Sequence, residues 1–416
     1  MERTDTEPRV TTADAAVAER ALLESAASAH PPAYIRATVV AEVGAPVTWT
    51  SRIENDRIEI AEGSAEHPDV RILSDPETLA AVVSGRRSGV EAFLKGKLRV
   101  RGNLALALRL DSIFHPGPRH VRWPRSESVK AGRLRTSYLE AGTGQPVVLL
   151  HGLGATNASF LPTLWSLARD HRVLAPDLPG FGDSAKPLRP YDPAFFAAWL
   201  RDFMDALGVE RAHVIGNSMG GRVALEMGMR HPQRVDRMVL LCPSPAFIKG
   251  REFVRLVRFL RPELAVVPLP ISHRQVVRST RATFARPDRL PHAWFEAAAD
   301  EFLRVFKTPR GRIAFFSAAR QIYLEEPWGE TGFWERLRSL TPPALFVWGE
   351  RDRLVPARFA RHVTEALPNS SSVVLEDCGH VPQYELPRRT DRLIRDFMHA
   401  SDPADGPRET PPEEPT

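Results

Sequence analysis

The chain has 416 residues, with 56 Lys and Arg against 51 Asp and Glu, a net charge of +5, 43% hydrophobic and 26% charged residues. That length allows two or three domains, each with its own core, and the balance is that of an ordinary folded protein rather than a disordered one. The basic residues are spread along the sequence and not clustered, which reads as solvated faces and argues against nucleic-acid binding.

Met1 to Val10 is polar and charged, so no signal peptide is expected. No apolar run approaches the roughly 18 residues that a membrane-spanning helix needs, while peripheral membrane contact stays open. The spacing of Cys242 and Cys378 suggests neither a metal site nor a disulfide framework. A reduced, cytoplasmic setting is therefore expected, with no metal and no cofactor; the oligomeric state stays open. There is no internal repeat.

Residues 1–31 read as a polar tail and an alanine-rich helix over Ala13 to Ala27. Residues 32–115 read as a small α+β domain. Tyr34 to Val40, Val47 to Ile53, Arg57 to Ile60 and Val70 to Leu73 alternate as half-buried strands, with a tight turn at Glu54-Asn55-Asp56. Asp75-Pro76-Glu77 opens a helix, with Asp75 as cap and Pro76 in the first turn, and Gly85 stops it. A short helix at Val90 to Leu94 follows, then an alternating strand inside Lys95 to Asn103. Leu104 to Phe114, with large apolar residues at 104, 106, 108, 110 and 114, reads as a helix with a broad apolar surface. The segment Gly96-Lys97-Leu98-Arg99-Val100-Arg101-Gly102-Asn103-Leu104-Ala105-Leu106-Ala107, with the helix before it, resembles the sterol-carrier-protein lipid-binding domain. Asn103 stands where that family often has Asp. The resemblance implies an apolar tunnel between sheet and helices.

Residues 116–128, rich in Pro and Arg, read as a linker, and residues 129–400 as a second domain. Leu134 to Leu139 is an edge-type strand. Pro146 to Leu150 is continuously apolar, as a strand buried on both faces requires. Further strands at Arg172 to Pro176, His213 to Ile215, Val239 to Cys242, Ala344 to Trp348 and Ser372 to Leu375 alternate with helices at Phe160 to Leu167, Ala194 to Leu207, Ala357 to Leu367 and Thr390 to Ala400. That alternation predicts a mostly parallel sheet with right-handed crossovers. It stops between about 246 and 340. This insertion, rich in Phe, Leu and Arg, reads as a helical lid over the carboxyl ends of the strands. Within it, Phe253, Leu256, Val257 and Leu260 share one helix face, with Arg255, Arg258 and Arg261 elsewhere round it. Residues 401–416, rich in Pro, Asp and Glu, read as a disordered tail.

The chemistry centres on Gly216-Asn217-Ser218-Met219-Gly220, a G-x-S-x-G between a buried strand and a helix. Such a turn holds the serine at a sharp tip, with the free N–H groups of the helix end beside it. A serine hydroxyl needs a base, and the base needs an orienting acid. Asp352 and His380 each follow a predicted strand, in the order Ser, Asp, His; Glu350 is the secondary candidate for the acid. The N–H groups of Met219 and of Leu153, in the loop His151-Gly152-Leu153-Gly154, are the candidate oxyanion donors. His151 reads as a structural residue of that loop, and Asp177 to Ser184 as a wall of the pocket.

These motifs together, with Asp177-Leu178-Pro179-Gly180-Phe181-Gly182, resemble the α/β-hydrolase superfamily over about residues 130–400. Gly-Asn-Ser-Met-Gly-Gly is similar to carbon–carbon bond hydrolases of ring-fission products and to some lipases. Those C–C hydrolases often carry Trp after the catalytic His; Val381 stands there here. The expected fold is an α/β hydrolase with a helical lid, preceded by the α+β domain. The expected activity is hydrolysis of an ester of a hydrophobic or lipid-like small molecule through an acyl-enzyme. The alternatives are a C–C hydrolase and a lipid carrier without turnover.

Overall fold

The computed structural model describes residues 12–29, 31, 35–43, 47–114, 124–244, 265, 267, 269–367 and 370–400. The sequence readings of both termini, of much of the linker and of the Phe253–Leu260 helix lie outside the described residues. The chain divides into two compact units, one of residues 1–126 with Pro291–Glu301 and one of the remainder.

The first unit opens with helix α1 (Thr12–Ser28). A five-stranded sheet follows, built from β1 (Ala37–Glu42), β2 (Thr48–Glu54), β3 (Arg57–Glu62), β4 (Val70–Ser74) and β5 (Leu98–Gly102), in the order β3-β2-β1-β4-β5. Only the β1–β4 pairing among these is parallel. Asn55 and Asp56 both take positive φ, 51° and 63°, as the tight β2–β3 turn requires. Helices α2 (Pro76–Val83), α3 (Gly89–Leu94) and α4 (Leu104–Phe114) lie between and after β4 and β5. The Asp75 carboxylate accepts the Thr78 N–H at 2.7 Å, the cap expected from the sequence.

Where the resemblance implies a tunnel, the described residues enclose a small space. An apolar cavity of about 40 Å³ lies among Leu22, Val39, Ile72, Leu79, Leu98 and Leu110. Such a space takes a few water-sized groups and no lipid chain. Leu22 is on α1, whose Ala15, Ala18 and Leu22 pack with Ala41, Val43, Trp49, Leu79 and Val83. Helix α1 thus forms one wall of this cavity through Leu22.

The second unit carries an eight-stranded sheet in the order β13-β12-β11-β10-β8-β9-β7-β6. Its strands are β6 (Arg125–Ala131), β7 (Leu134–Ala141), β8 (Gln145–Leu150), β9 (His171–Pro176), β10 (Ala212–Asn217), β11 (Val235–Leu241), β12 (Ala344–Gly349) and β13 (Ser371–Leu375). From β13 through β9 the neighbours pair in parallel, and β7 pairs antiparallel with β9. β6 begins at Arg125, inside the stretch read as linker; it is a polar sheet-edge strand with little apolar signal. β11 begins four residues earlier than its apolar run suggests, because Asp236 and Arg237 sit in its half-buried first half.

Helices α5 (Leu161–Leu167), α6 (Pro193–Ala206) and α7 (Met219–Arg230) alternate with these strands. Between β11 and β12 the described residues are mostly helical: α8 (His273–Arg281), α9 (His292–Phe306), whose residues 292–301 group with the first unit, α10 (Pro309–Tyr323) and α11 (Phe333–Leu337). Helices α12 (Phe359–Ala366), α13 (Pro382–Glu385) and α14 (Pro387–His399) complete the unit. The fully buried faces of β8, β10 and β12 form its core with Phe196, Phe203, Phe346 and Trp348.

Candidate active site

β10 is buried along its whole length and lies between β8 and β11, so its carboxyl end is fixed from both sides. The chain then turns at Ser218, whose φ of 54° and ψ of −117° are unusual for a non-glycine residue. Helix α7 starts at once with Met219. Two glycines make that turn feasible. A Cβ on Gly216 would lie 2.4 Å from the Gly220 carbonyl oxygen, and one on Gly220 would lie 2.0 Å from that of Leu150. Neither space admits a side chain, so the motif's glycines are set by backbone crowding.

The Asp352 and His380 side chains meet. His380 Nδ1 lies 2.7 Å from Asp352 Oδ2. The other carboxylate oxygen, Oδ1, accepts the N–H groups of Leu354 and Val355 at 2.8 and 2.9 Å. These three contacts fix the carboxylate, which in turn fixes the imidazole. Glu350 does not join them; its carboxylate accepts the Asp377 N–H at 3.0 Å. The His380 loop is tied down at its backbone. The His380 N–H donates to the Thr283 carbonyl at 2.8 Å, and Asn217 Nδ2 donates to the His380 carbonyl at 3.0 Å. Asn217 also donates to the Leu241 carbonyl, so one amide links the serine turn, β11 and the histidine loop. The Glu385 carboxylate accepts the N–H groups of both Gly379 and Ala285.

Ser218 Oγ lies 3.2 Å from Ser244 Oγ, and the buried Tyr323 hydroxyl hydrogen-bonds to both serines. Ser244 is fully buried and its N–H donates to the Ser218 carbonyl at 3.0 Å. Sequence reasoning did not find these two residues: Ser244 follows β11 in an unremarkable loop, and Tyr323 ends α10. The loop that carries Leu153 does come to Ser218, since a Cβ on Gly152 would lie 3.3 Å from Ser218 Cβ. Leu153 packs on the core, and Met219 is the buried first residue of α7.

His151 is sealed inside that loop. Its Nε2 accepts the Leu178 N–H at 2.9 Å, so Nδ1 carries the proton and donates to the Gly152 carbonyl at 2.8 Å. Burial pushes its pKa down to about 4, and it does the same for His213 on β10. Both are therefore neutral in the folded chain at pH values where unfolded histidines are charged. Below the ordinary value of 6.5 the unfolded state binds more protons, so stability falls with pH down to about 4. From about pH 7 to about pH 5 each histidine is expected to cost up to about 2 kcal/mol. Urea midpoints measured across that interval check this; a flat profile would contradict it.

The Asp177 to Ser184 loop is bound round one carboxylate. Asp177 accepts the N–H groups of Asn157 and Asp183, both at 2.9 Å, and Gly182 at φ 47° passes so close that any Cβ would strike it. Phe302 and Phe315 stand beside the oxyanion-type loop: a Cβ on Gly154 would meet their rings at 3.1 and 3.0 Å. With Phe306 and Phe316 they form an aromatic group, stacked between Phe302 and Phe306 and edge-to-face in its other contacts.

The sequence pattern of the α/β hydrolase fold family matches residues 145–387, more than half of the chain. The chain belongs to the α/β-hydrolase fold family. Residues 24–115 match the SCP-2 sterol transfer family. This α/β hydrolase is 30% identical over 264 residues to the 2-hydroxy-6-oxo-6-(2'-aminophenyl)hexa-2,4-dienoic acid hydrolase of Metapseudomonas resinovorans, covering 62% of this chain and 86% of that protein. It is also 30% identical over 260 residues to the pimeloyl-[acyl-carrier protein] methyl ester esterase of Aeromonas hydrophila, covering 62% of this chain and 96% of that one. Among solved structures it is similar to a membrane phospholipase A, with a TM-score of 0.58 and 26% identity over 77% of this chain and 96% of the other.

Proposed function

We propose that this α/β hydrolase is a serine hydrolase that cleaves an ester of a hydrophobic, lipid-like small molecule. The observation that carries the reading is the buried His380–Asp352 pair at 2.7 Å, tied through the Asn217 side-chain amide to the turn that presents Ser218. Ser218 is the nucleophile, His380 the general base and Asp352 the group that orients it and stabilises its charged form. For proton transfer, Ser218 Oγ exchanges its bond to Ser244 for one to His380 Nε2; such bonds commonly tighten only with substrate bound. The N–H groups of Leu153 and Met219 receive the developing oxyanion, and water activated by His380 releases the acyl group. The phenylalanines beside Gly154 favour an apolar acyl chain or alcohol.

Turnover of p-nitrophenyl esters graded by chain length tests this reading. Turnover of a ring-fission diketone much faster than any ester would move the assignment to C–C hydrolysis; the Metapseudomonas relative is named as a hydrolase of a 2-hydroxy-6-oxo-dienoic acid.

The SCP-2-like segment is proposed to bind the substrate or product and keep it near the hydrolase. Leu22 of α1 lines the small cavity, so moving α1 outward is one way to widen it for a lipid chain. Deleting residues 1–120 is expected to leave the rate on short, soluble esters unchanged and to lower efficiency on long-chain ones. Equal loss on both would assign the segment a structural role, and no loss on either would remove the delivery idea.

A further inference from the structure

Cys242 lies beside the Asp352–His380 pair. It follows β11 with φ at 44°, its thiol is fully buried, and Sγ is 3.6 Å from the Gly379 carbonyl oxygen. One ligand atom from each of Cys242, Asp352 and His380 lies within 4.8 Å of the other two, and all three residues are buried. A thiolate, an imidazole nitrogen and a carboxylate oxygen are the donor set that zinc takes. Around a tetrahedral ion, with bonds of about 2.0 to 2.3 Å, such atoms stand roughly 3.4 Å apart. Reaching that spacing opens the His380–Asp352 pair from 2.7 Å and draws in the sulfur, which already lies within 4.8 Å of both. The charges also balance: thiolate and carboxylate together cancel a divalent ion, which a buried site requires.

We propose that Cys242, Asp352 and His380 bind one zinc ion, and that the bound ion switches the hydrolase off. The Cys242 thiol gives its proton to solvent and its sulfur bonds the metal. The His380 proton leaves Nδ1 for Nε2, so that Nδ1 can ligate. Asp352 supplies one oxygen, and a water takes the fourth position. One proton is released for each ion bound. Nε2, now protonated, can no longer accept the Ser218 proton, so inhibition follows from the ligation itself. This last step rests on the serine-hydrolase reading; metal binding does not.

The test uses the full chain with zinc chloride for inhibition and cobalt(II) chloride as a spectroscopic probe. Cys242 and Cys378 are the only thiols in the sequence, so a thiolate-to-cobalt charge-transfer band reports on one of two residues. Wild type is expected to show that band at one ion per chain. Hydrolysis of a short ester should fall with added zinc and return with a chelator. Cys242→Ser keeps a hydrogen-bond donor beside Asp352 and is a poor zinc ligand. It should lose the band and weaken zinc inhibition by at least about tenfold. Cys378→Ser should keep both effects, and it carries the test if Cys242→Ser fails to fold. A band with no esterase activity in any variant supports the site and counts against the hydrolase reading alone. Absence of the band in wild type, its loss in Cys378→Ser, or equal zinc inhibition in wild type and folded Cys242→Ser would overturn the proposal.

Discussion

Ser218→Ala is expected to lower kcat/KM on short p-nitrophenyl esters by about 10⁴-fold or more and to abolish labelling by a fluorophosphonate probe. Alanine removes the attacking oxygen and little else. The positive φ at 218 is as strained for alanine as for serine, so the turn keeps its cost, and Ser244 and Tyr323 can still bond each other. The thermal midpoint should therefore stay close to that of wild type, which separates loss of chemistry from loss of fold. Asp352→Asn should cost a comparable factor for another reason. With its oxygen taken by the Leu354 and Val355 N–H groups, the amide turns its NH2 towards Nδ1 and cannot accept the Nδ1–H bond, so the imidazole favours the wrong tautomer. Wild-type turnover in Ser218→Ala would place the chemistry elsewhere. A wild-type protein that neither hydrolyses esters nor takes the probe would end the acyl-enzyme reading.

The parts of this site that were legible in the sequence are those set by local rules. The turn at Ser218 follows from two glycines where the backbone crowds, between an apolar strand and a helix, and that pattern is contiguous. Asp352 and His380 were legible because each follows a strand of a parallel sheet, and such strands end on one edge. The parallel sheet itself followed from alternating strand and helix periods. What escaped notice depends on contacts between distant segments. Ser244, Tyr323 and Cys242 reach the site only once β11 and α10 are packed, and no spacing announces them. Thr283 and Glu385 hold the histidine loop through one backbone carbonyl and one carboxylate, roles that residue type alone does not reveal. The small cavity of the first unit is another such case. Whether Leu22 lines it is decided by how α1 packs on the sheet, not by α1's own pattern.

Arg222→Met is expected to destabilise the protein by about 3–5 kcal/mol, read as a shift in urea midpoint. Arg222 lies four residues after Ser218 on α7 and is fully buried. Its guanidinium donates to Glu226 at 2.8 Å and to both oxygens of Glu325 at 2.6 and 2.8 Å, and it stacks over the Phe333 ring at 4.8 Å. Arg336 bonds the same two carboxylates, and Arg230 bonds Glu226. Burial alone would raise the Glu226 pKa; Arg222 and its neighbours reverse that and hold it down to about 2. Removing Arg222 leaves Glu226 buried with its strongest partner gone, and uncompensated buried charge is the costly outcome. The pH dependence carries the same signature. The folded pKa lies below the ordinary 4.5, so the stabilisation is present above 4.5 and is lost as pH falls toward 2. Wild type should lose stability over that interval more steeply than Arg222→Met. Because Arg222 lies in the first turn of the helix that follows Ser218, the variant should also label more slowly with a fluorophosphonate even while folded. Replacing Arg222, Glu226 and Glu325 together with apolar residues of similar volume should recover most of the lost stability, since paired buried charges are often no better than a well-packed apolar group. A loss below about 1 kcal/mol in the single variant would mean that Arg336 and Arg230 hold both carboxylates without Arg222.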